Sequence, residues 1–134
     1  GVLLRLAHLL GEPDYGRYAV SVLQRVRDLV VRAPQAFGHM LGALDAYLAA
    51  PQEVAIVGAP EADTTQALLR VVFARYRPNS IVALRAPSDA EPMRIIPILA
   101  DRDAVDGQPT AYVCENYACQ MPTTNPATLA RQLE

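Results

Sequence analysis

The two cysteines are the residues of this chain whose type and spacing most favour chemistry. Cys114 and Cys119 lie five positions apart, an apolar run typical of a strand leads into the first, and Pro122 follows the second. Such a pair admits three interpretations: buried thiols that only pack, a local disulfide if the chain turns back, or a redox pair. The spacer is longer than that of a C-x-x-C redox motif, so the pattern leaves all three open.

A metal site at these cysteines is not predicted. Zinc needs further ligands, yet the sequence has no second C-x-x-C and no H-x-x-x-H, and both His8 and His39 belong to the first fifty residues. The carboxylates of Asp101, Asp103 and Asp106 lack the spacing of an EF-hand and are typical of a solvated turn. The sequence therefore predicts neither a metal ion nor another cofactor.

A second candidate site collects polar residues that follow predicted strands. In open parallel sheets, ligands bind where the carboxyl ends of strands meet helix N-termini, which favour anions. If the strands are parallel neighbours, one crevice would gather a ligand-binding set with Cys114 beside it: Asp63, Thr64, Thr65, Arg85 and Asn116. The competing interpretation is a capping Asp63, two first-turn threonines and a solvated Arg85. The loop at residues 58–61 is neither a dinucleotide fingerprint nor a P-loop.

The first fifty residues predict helices that would carry no part of this crevice. Residues 2–10 form a leucine-rich segment closed by Gly11. A second helix is predicted from a cap at Asp14 to Arg32, since its apolar residues recur every three or four positions. A third helix is predicted from Phe37 until Pro51 stops it.

From about residue 52 the spacing of apolar residues changes, and short runs typical of strands alternate with helical segments. We predict a strand over residues 53–58, a helix over 63–76 opened by a capping box, and a strand over 80–84, which together form a right-handed βαβ unit. Residues 95–99 are predicted as an edge strand or bulge because of Pro97. A strand over 110–114 and a helix over 126–133 follow.

These elements predict an α/β fold in which N-terminal helices pack on a small, mostly parallel βαβ-type sheet of three or four strands. The predicted domains are a helical segment at 1–50 and an α/β module at 52–134. The chain has 134 residues, half of them hydrophobic, which suffices for a core.

Composition narrows the classes of partner and compartment. The net charge is −2, the twelve basic residues are scattered arginines, and no apolar run is long enough to span a bilayer. We therefore predict no nucleic-acid and no membrane partner. Two cysteines do not form a disulfide scaffold, so a reducing, cytoplasmic location is expected. Because the sequence begins with Gly1 and has no signal peptide, we expect a piece of a longer protein.

Three segments, in this order, resemble a known family: residues 37–45 (FGHMLGALD), residues 53–58 (EVAIVG), and the stretch from Tyr112 through both cysteines to Pro122. The chain is similar over essentially its whole length to the C-terminal end of the YyaL-like, spermatogenesis-associated thioredoxin-domain proteins. The resemblance implies a thioredoxin-like domain and an (α/α)6 toroid, similar to N-acylglucosamine 2-epimerases and six-hairpin glycosidases, ahead of a small α/β region.

The resemblance also implies what the chain does and with what it associates. Its first helices would be the last helices of the toroid, and their partner would be the rest of the same full-length chain. We expect a non-catalytic structural or assembly module that caps the toroid. Alternatives are a contribution to a carbohydrate epimerase- or isomerase-like site, with His39 and Tyr47 on the helical face, and a thiol-redox role for Cys114 and Cys119. Uncovered helices would further predict a homodimer.

Overall fold

The computed structural model describes residues 1–116 and 118–134. By its internal contacts the chain divides into two compact units, which we name the helical unit (Gly1–Ala50) and the sheet unit (Pro51–Glu134). No helix of the described residues is both long and apolar enough to cross a membrane.

The helical unit contains three α-helices, α1 (Val2–Leu10), α2 (Pro13–Arg32) and α3 (Gly38–Leu48). Gly11 adopts a left-handed conformation, with φ of 65°, and ends α1 as its position in the sequence predicts. The predicted cap at Asp14 is wrong: α2 begins at Pro13, whose fixed φ suits the first helical position, and Asp14 instead pairs with Arg17 in the first turn.

Very little of the helical unit is buried. Only three of its residues are, namely Leu4, Ala19 and Ala43, and two of these are alanines. Large apolar side chains on α2 and α3 remain exposed, among them Tyr18, Leu29 and Leu48. The predicted helices therefore form, but their apolar side chains have no core within this unit to pack against.

In the part of the sheet unit that the structure describes, there are three further α-helices and four strands. The strands are β1 (Gln52–Val57), β2 (Ser80–Arg85), β3 (Thr110–Glu115) and β4 (Ala118–Cys119). The helices are α4 (Asp63–Phe73), α5 (Glu91–Ile95) and α6 (Pro126–Gln132). The α/β class is confirmed, as are the strands predicted at residues 53–58, 80–84 and 110–114. The terminal helix is confirmed too, and Asn125 caps it by accepting from the N–H groups of Ala127 and Thr128.

The sheet is mixed and has the strand order β2-β1-β3-β4. β1 and β2 are parallel and are connected through α4, as predicted for a βαβ unit. The prediction of a mostly parallel sheet is wrong, because β3 runs antiparallel to β1 and β4 antiparallel to β3. The apolar pattern of residues 110–114 identifies a strand but not its direction, which depends on how the preceding loop returns.

One face of the sheet holds the main core. Val54 and Ile56 of β1 and Ala111 and Val113 of β3 are fully buried on this face, against side chains of α4 and α6. Those helix side chains are Leu68, Val72, Leu129 and Leu133. Alternation then places Glu53 and Ala55 of β1, Tyr112 and Cys114 of β3, and Arg85 of β2 on the opposite face.

The opposite face lies against a short 3₁₀ turn, Pro97–Leu99, in which Ile98 and Leu99 are buried. The predicted edge strand at residues 95–99 is therefore wrong. Pro97 removes a ladder donor and fixes a helical φ, which suits a 3₁₀ turn better than a strand. The loop that continues from this turn carries Arg102 and Asp103 onto the same face.

Candidate functional site

The crevice that the sequence predicts is not assembled. Arg85 pairs with Val57 at one end of the strands, whereas Cys114 pairs with Glu53 at the other, because β3 runs antiparallel to β1. Asn116 follows β3 at that far end, in a left-handed conformation with φ of 51°. Arg85 and Asn116 therefore cannot share a ligand at a common strand edge.

The three residues of α4 in this set are also separated from Arg85. α4 packs on the main-core face of the sheet, whereas Arg85 lies on the opposite face. Asp63 and Thr64 are exposed, and Thr65 is fully buried, with its hydroxyl lacking a partner among the described residues. The capping box is absent: Ala62 occupies the cap position, and Gln66 donates from Nε2 to the carbonyl of Pro60 at 2.6 Å.

Arg85 is buried rather than solvated, which corrects the competing interpretation. Its side chain is 1% exposed, Nη1 donates to the carbonyls of Ala86 and Pro87 at 3.1 Å, and Nη2 donates to the Asp103 carboxylate at 2.8 Å. Nη2 also donates to the backbone carbonyl of Arg102. These bonds compensate the desolvated cation and hold the loop at residues 102–103 against the sheet.

The two cysteines form a disulfide in the structure. They stand directly opposite each other on β3 and β4, and their Cα atoms are 4.0 Å apart. The next pair of residues carries the ladder bond, from the Gln120 N–H to the Val113 carbonyl at 2.9 Å. The cysteines thus occupy a non-hydrogen-bonded position, where opposed side chains are closest. Cys114 is buried, and Cys119 is exposed.

A residue that the sequence analysis missed lies against this disulfide. Arg102 donates from Nη2 to Cys114 Sγ at 3.0 Å and to Cys119 Sγ at 3.5 Å, and its guanidinium carbon lies 5.4 Å from the centre of the Tyr112 ring. We name Arg102, Tyr112, Cys114 and Cys119 the arginine–disulfide cluster. An isolated arginine in a loop carries no sequence signal of such a contact, since only the return of the loop brings it there.

The electrostatics of the cluster are those of a partly desolvated cation. Partial burial of the Arg102 guanidinium lowers its pKa from the ordinary value, while charge interactions with Glu53 and Tyr112 act in the opposite direction. Arginine remains protonated in proteins, so the cluster presents a positive charge to two sulfur atoms. Sulfur bonded in a disulfide is a weak acceptor, whereas a thiolate would be a strong one.

A separate apolar groove lies within the helical unit, between α2 and α3. Its volume is about 360 Å³, and its walls are formed mainly by aliphatic side chains of the two helices. Tyr47 lines it, with Gln24 and Arg27 as its other polar contributors. His39 is exposed and is not among the lining residues. A groove of this composition suits an apolar side chain or helix better than a sugar, which needs several polar partners.

Comparison with known proteins gives three relatives, each named spermatogenesis-associated protein 20. The chain is 35% identical to the protein of Rattus norvegicus, 34% to that of Homo sapiens and 33% to that of Mus musculus. Each alignment covers 98% of this chain and 17% of the relative. No protein-family model matches the chain. No solved structure matches it either.

The matched region includes both units described above, because the alignments leave out almost none of the chain. The chain is therefore homologous to spermatogenesis-associated protein 20, of whose length it spans 17%.

Proposed function

We propose that this chain is a non-catalytic structural module that packs, through its helical unit, against other parts of a longer polypeptide. The observation that carries the proposal is the near-absence of buried residues in the helical unit. Three helices that bury only one leucine and two alanines gain too little from burial to offset the entropy of ordering fifty residues. A further surface must supply the missing burial.

The α2–α3 groove is the surface that we propose is covered. Leu44 and Tyr47 line the groove on α3 and are 38% and 49% exposed, and Val31 lines it on α2 and is 75% exposed. Covering such side chains contributes about 25 cal/mol for each Å² of apolar surface removed from water. The alignment to 17% of three longer relatives supports a cover supplied by the same polypeptide.

The proposal extends to the kind of cover. Under the family resemblance, the helices would end an (α/α)6 toroid, so that neighbouring helices of the toroid would fill the groove by ridges-into-grooves packing. Where that cover is missing, two copies of the chain would meet through the same groove, which gives the homodimer a physical cause. The carbohydrate-site alternative gains no support from the groove, whose lining is chiefly aliphatic.

Hydrogen exchange tests this proposal directly. The 134-residue chain and a longer polypeptide that carries the same residues are compared by mass spectrometry of matched peptides. We expect amides of α2 and α3 to exchange at least about 100-fold more slowly in the longer polypeptide, since local opening there must also break the cover. Peptides from β1 and β3 should exchange alike in both and are the internal control.

A variant in the α2–α3 groove shows whether the longer polypeptide protects α2 and α3 by packing directly against the groove. Leu44→Glu should leave the unfolding of the 134-residue chain nearly unchanged but restore fast exchange of α2 and α3 in the longer polypeptide. Leu48→Glu, on the same helix but outside the groove lining, is the matched control. Equal protection of α2 and α3 in the short chain and the longer polypeptide would overturn the proposal.

A further inference from the structure

The exposure of the two sulfur-bearing residues differs across the disulfide. Cys114 lies on β3 with 3% of its surface exposed, whereas Cys119 belongs to β4, both of whose residues are exposed. An external thiolate that approaches from solvent therefore meets Cys119 first. Thiol–disulfide exchange depends on which sulfur is attacked and on the stability of the departing thiolate.

Arg102 is placed to stabilise one particular thiolate. Its Nη2 is closer to Cys114 Sγ, at 3.0 Å, than to Cys119 Sγ, at 3.5 Å. Among the described residues it has no carboxylate within ion-pair distance, and its Nη1 is buried without a hydrogen-bond partner. A cation held in this way has donor capacity left for an anion that develops on Cys114.

The position of Arg102 is fixed from both sides. The backbone carbonyl of Arg102 accepts from buried Arg85, and the carbonyl of the next residue, Asp103, accepts from the Tyr112 hydroxyl at 2.6 Å. The Tyr112 ring also lies under the guanidinium. A donor held before the reaction begins stabilises developing charge without reorganisation during the reaction.

We propose that the Cys114–Cys119 disulfide is a thiol–disulfide exchange site for thiols that reach it from solvent, with Cys119 as the attacked sulfur and Cys114 as the leaving thiolate held by Arg102. In the first step a thiolate RS⁻ bonds to Cys119 Sγ, the Cys114–Cys119 bond breaks, and its electron pair leaves on Cys114. A second RS⁻ then attacks the R sulfur, which forms RSSR and frees the Cys119 thiolate. Two protons from solvent complete the reduction.

The contact between Arg102 and Cys114 also favours the reverse reaction, in which the internal disulfide forms again. Cys114, kept as a thiolate beside Arg102, is positioned to attack Cys119 Sγ of the mixed disulfide, expel RS⁻ and restore the internal bond. The proposed substrates are thus small thiols or exposed protein dithiols. The inference concerns the sheet unit alone, so it does not depend on the cover proposed for the helical unit.

The test measures reduction of the disulfide in the 134-residue chain by dithiothreitol, quenched at intervals with iodoacetamide and read by mass spectrometry. We expect Arg102→Met to slow reduction about tenfold, because the leaving thiolate loses its cation. Arg102→Lys, which keeps the charge, should stay within about threefold of the natural chain. Arg70→Met removes an exposed arginine of α4, on the other face of the sheet, and should leave the rate unchanged within about twofold.

Mapping the mixed disulfide shows whether Cys119 or Cys114 is the attacked sulfur. After brief reaction with glutathione and alkylation, cleavage after Glu115 separates the two cysteines. We expect glutathione on Cys119 and the alkyl group on Cys114. The opposite labelling would overturn the proposal, as would equal reduction rates in the Met variant and the natural chain. Arg102→Gln is a second neutral variant should the Met variant fail to fold, which circular dichroism reports.

Discussion

The helical and sheet units both carry regularly spaced apolar side chains, but the sheet unit buries many of them and the helical unit buries few. In the sheet unit, Val54 and Ile56 are completely buried between strands and helices. In the helical unit, Tyr18 is 63% exposed and Leu29 is 54% exposed, although both belong to the amphipathic helix α2. The spacing of apolar residues therefore identifies the face of a helix that packs against another surface, but it does not supply that surface.

The largest expected effect comes from matching leucine truncations across the two units. Leu68→Ala removes a fully buried side chain from the main core and should lower the free energy of unfolding by about 3 kcal/mol. Leu48→Ala makes the same chemical change at an exposed helical position and should cost about 0.5 kcal/mol or less. Urea unfolding followed by circular dichroism measures both. Equal losses of unfolding free energy in the two variants would contradict the difference in packing between the units.

The next effect concerns arginines. Arg85→Met should lower the free energy of unfolding by about 2 to 3 kcal/mol, since it removes the buried side chain whose hydrogen bonds to the carbonyls of Ala86, Pro87 and Arg102 hold the loop against the sheet. Arg27→Met, at the exposed rim of the groove, should change it by about 0.5 kcal/mol or less. The same urea titration applies, and an Arg85 variant as stable as the Arg27 variant would contradict the role described for Arg85.

The smallest effect compares two glycines and sharpens the contrast in packing. A Cβ at Gly58 would lie 2.5 Å from Thr65 Oγ1 and 2.8 Å from Pro109 Cβ, so Gly58→Ala should cost about 1 to 2 kcal/mol through overpacking. A Cβ at Gly42 of α3 meets nothing within 4 Å, so Gly42→Ala should stabilise by about 0.5 to 1 kcal/mol through helix propensity. Thermal unfolding should shift in opposite directions; a shared direction would refute the contrast.

Local signals in the sequence predict most elements of this fold. Proline and glycine mark the ends of helices, and the βαβ unit follows from an amphipathic helix between two apolar runs. Strand direction was not predictable in the same way. β3 has the apolar character of a parallel strand, and only the return of the loop at residues 100–109 makes it antiparallel to β1.

The predicted crevice failed for that same reason, because its residues were gathered on the assumption of parallel neighbours. The sequence does not predict the burial of Arg85, because that burial depends on hydrogen bonds to the carbonyls of Ala86, Pro87 and Arg102. Cys114 and Cys119 were identified from spacing alone. Their neighbour Arg102 is not predicted, since a contact between a loop residue and a strand twelve positions later has no period to detect.

The strand order β2-β1-β3-β4 has a consequence for synthesis on the ribosome. β1 is central, but it leaves the exit tunnel well before β3, with which it shares one of its two hydrogen-bonding edges. Until Thr110–Glu115 emerges, a nascent chain can form only the β1–α4–β2 half of the unit, and one hydrogen-bonding edge of β1 stays open. Folding of the sheet unit therefore waits for nearly its whole length, and its unfinished edge needs protection during that interval.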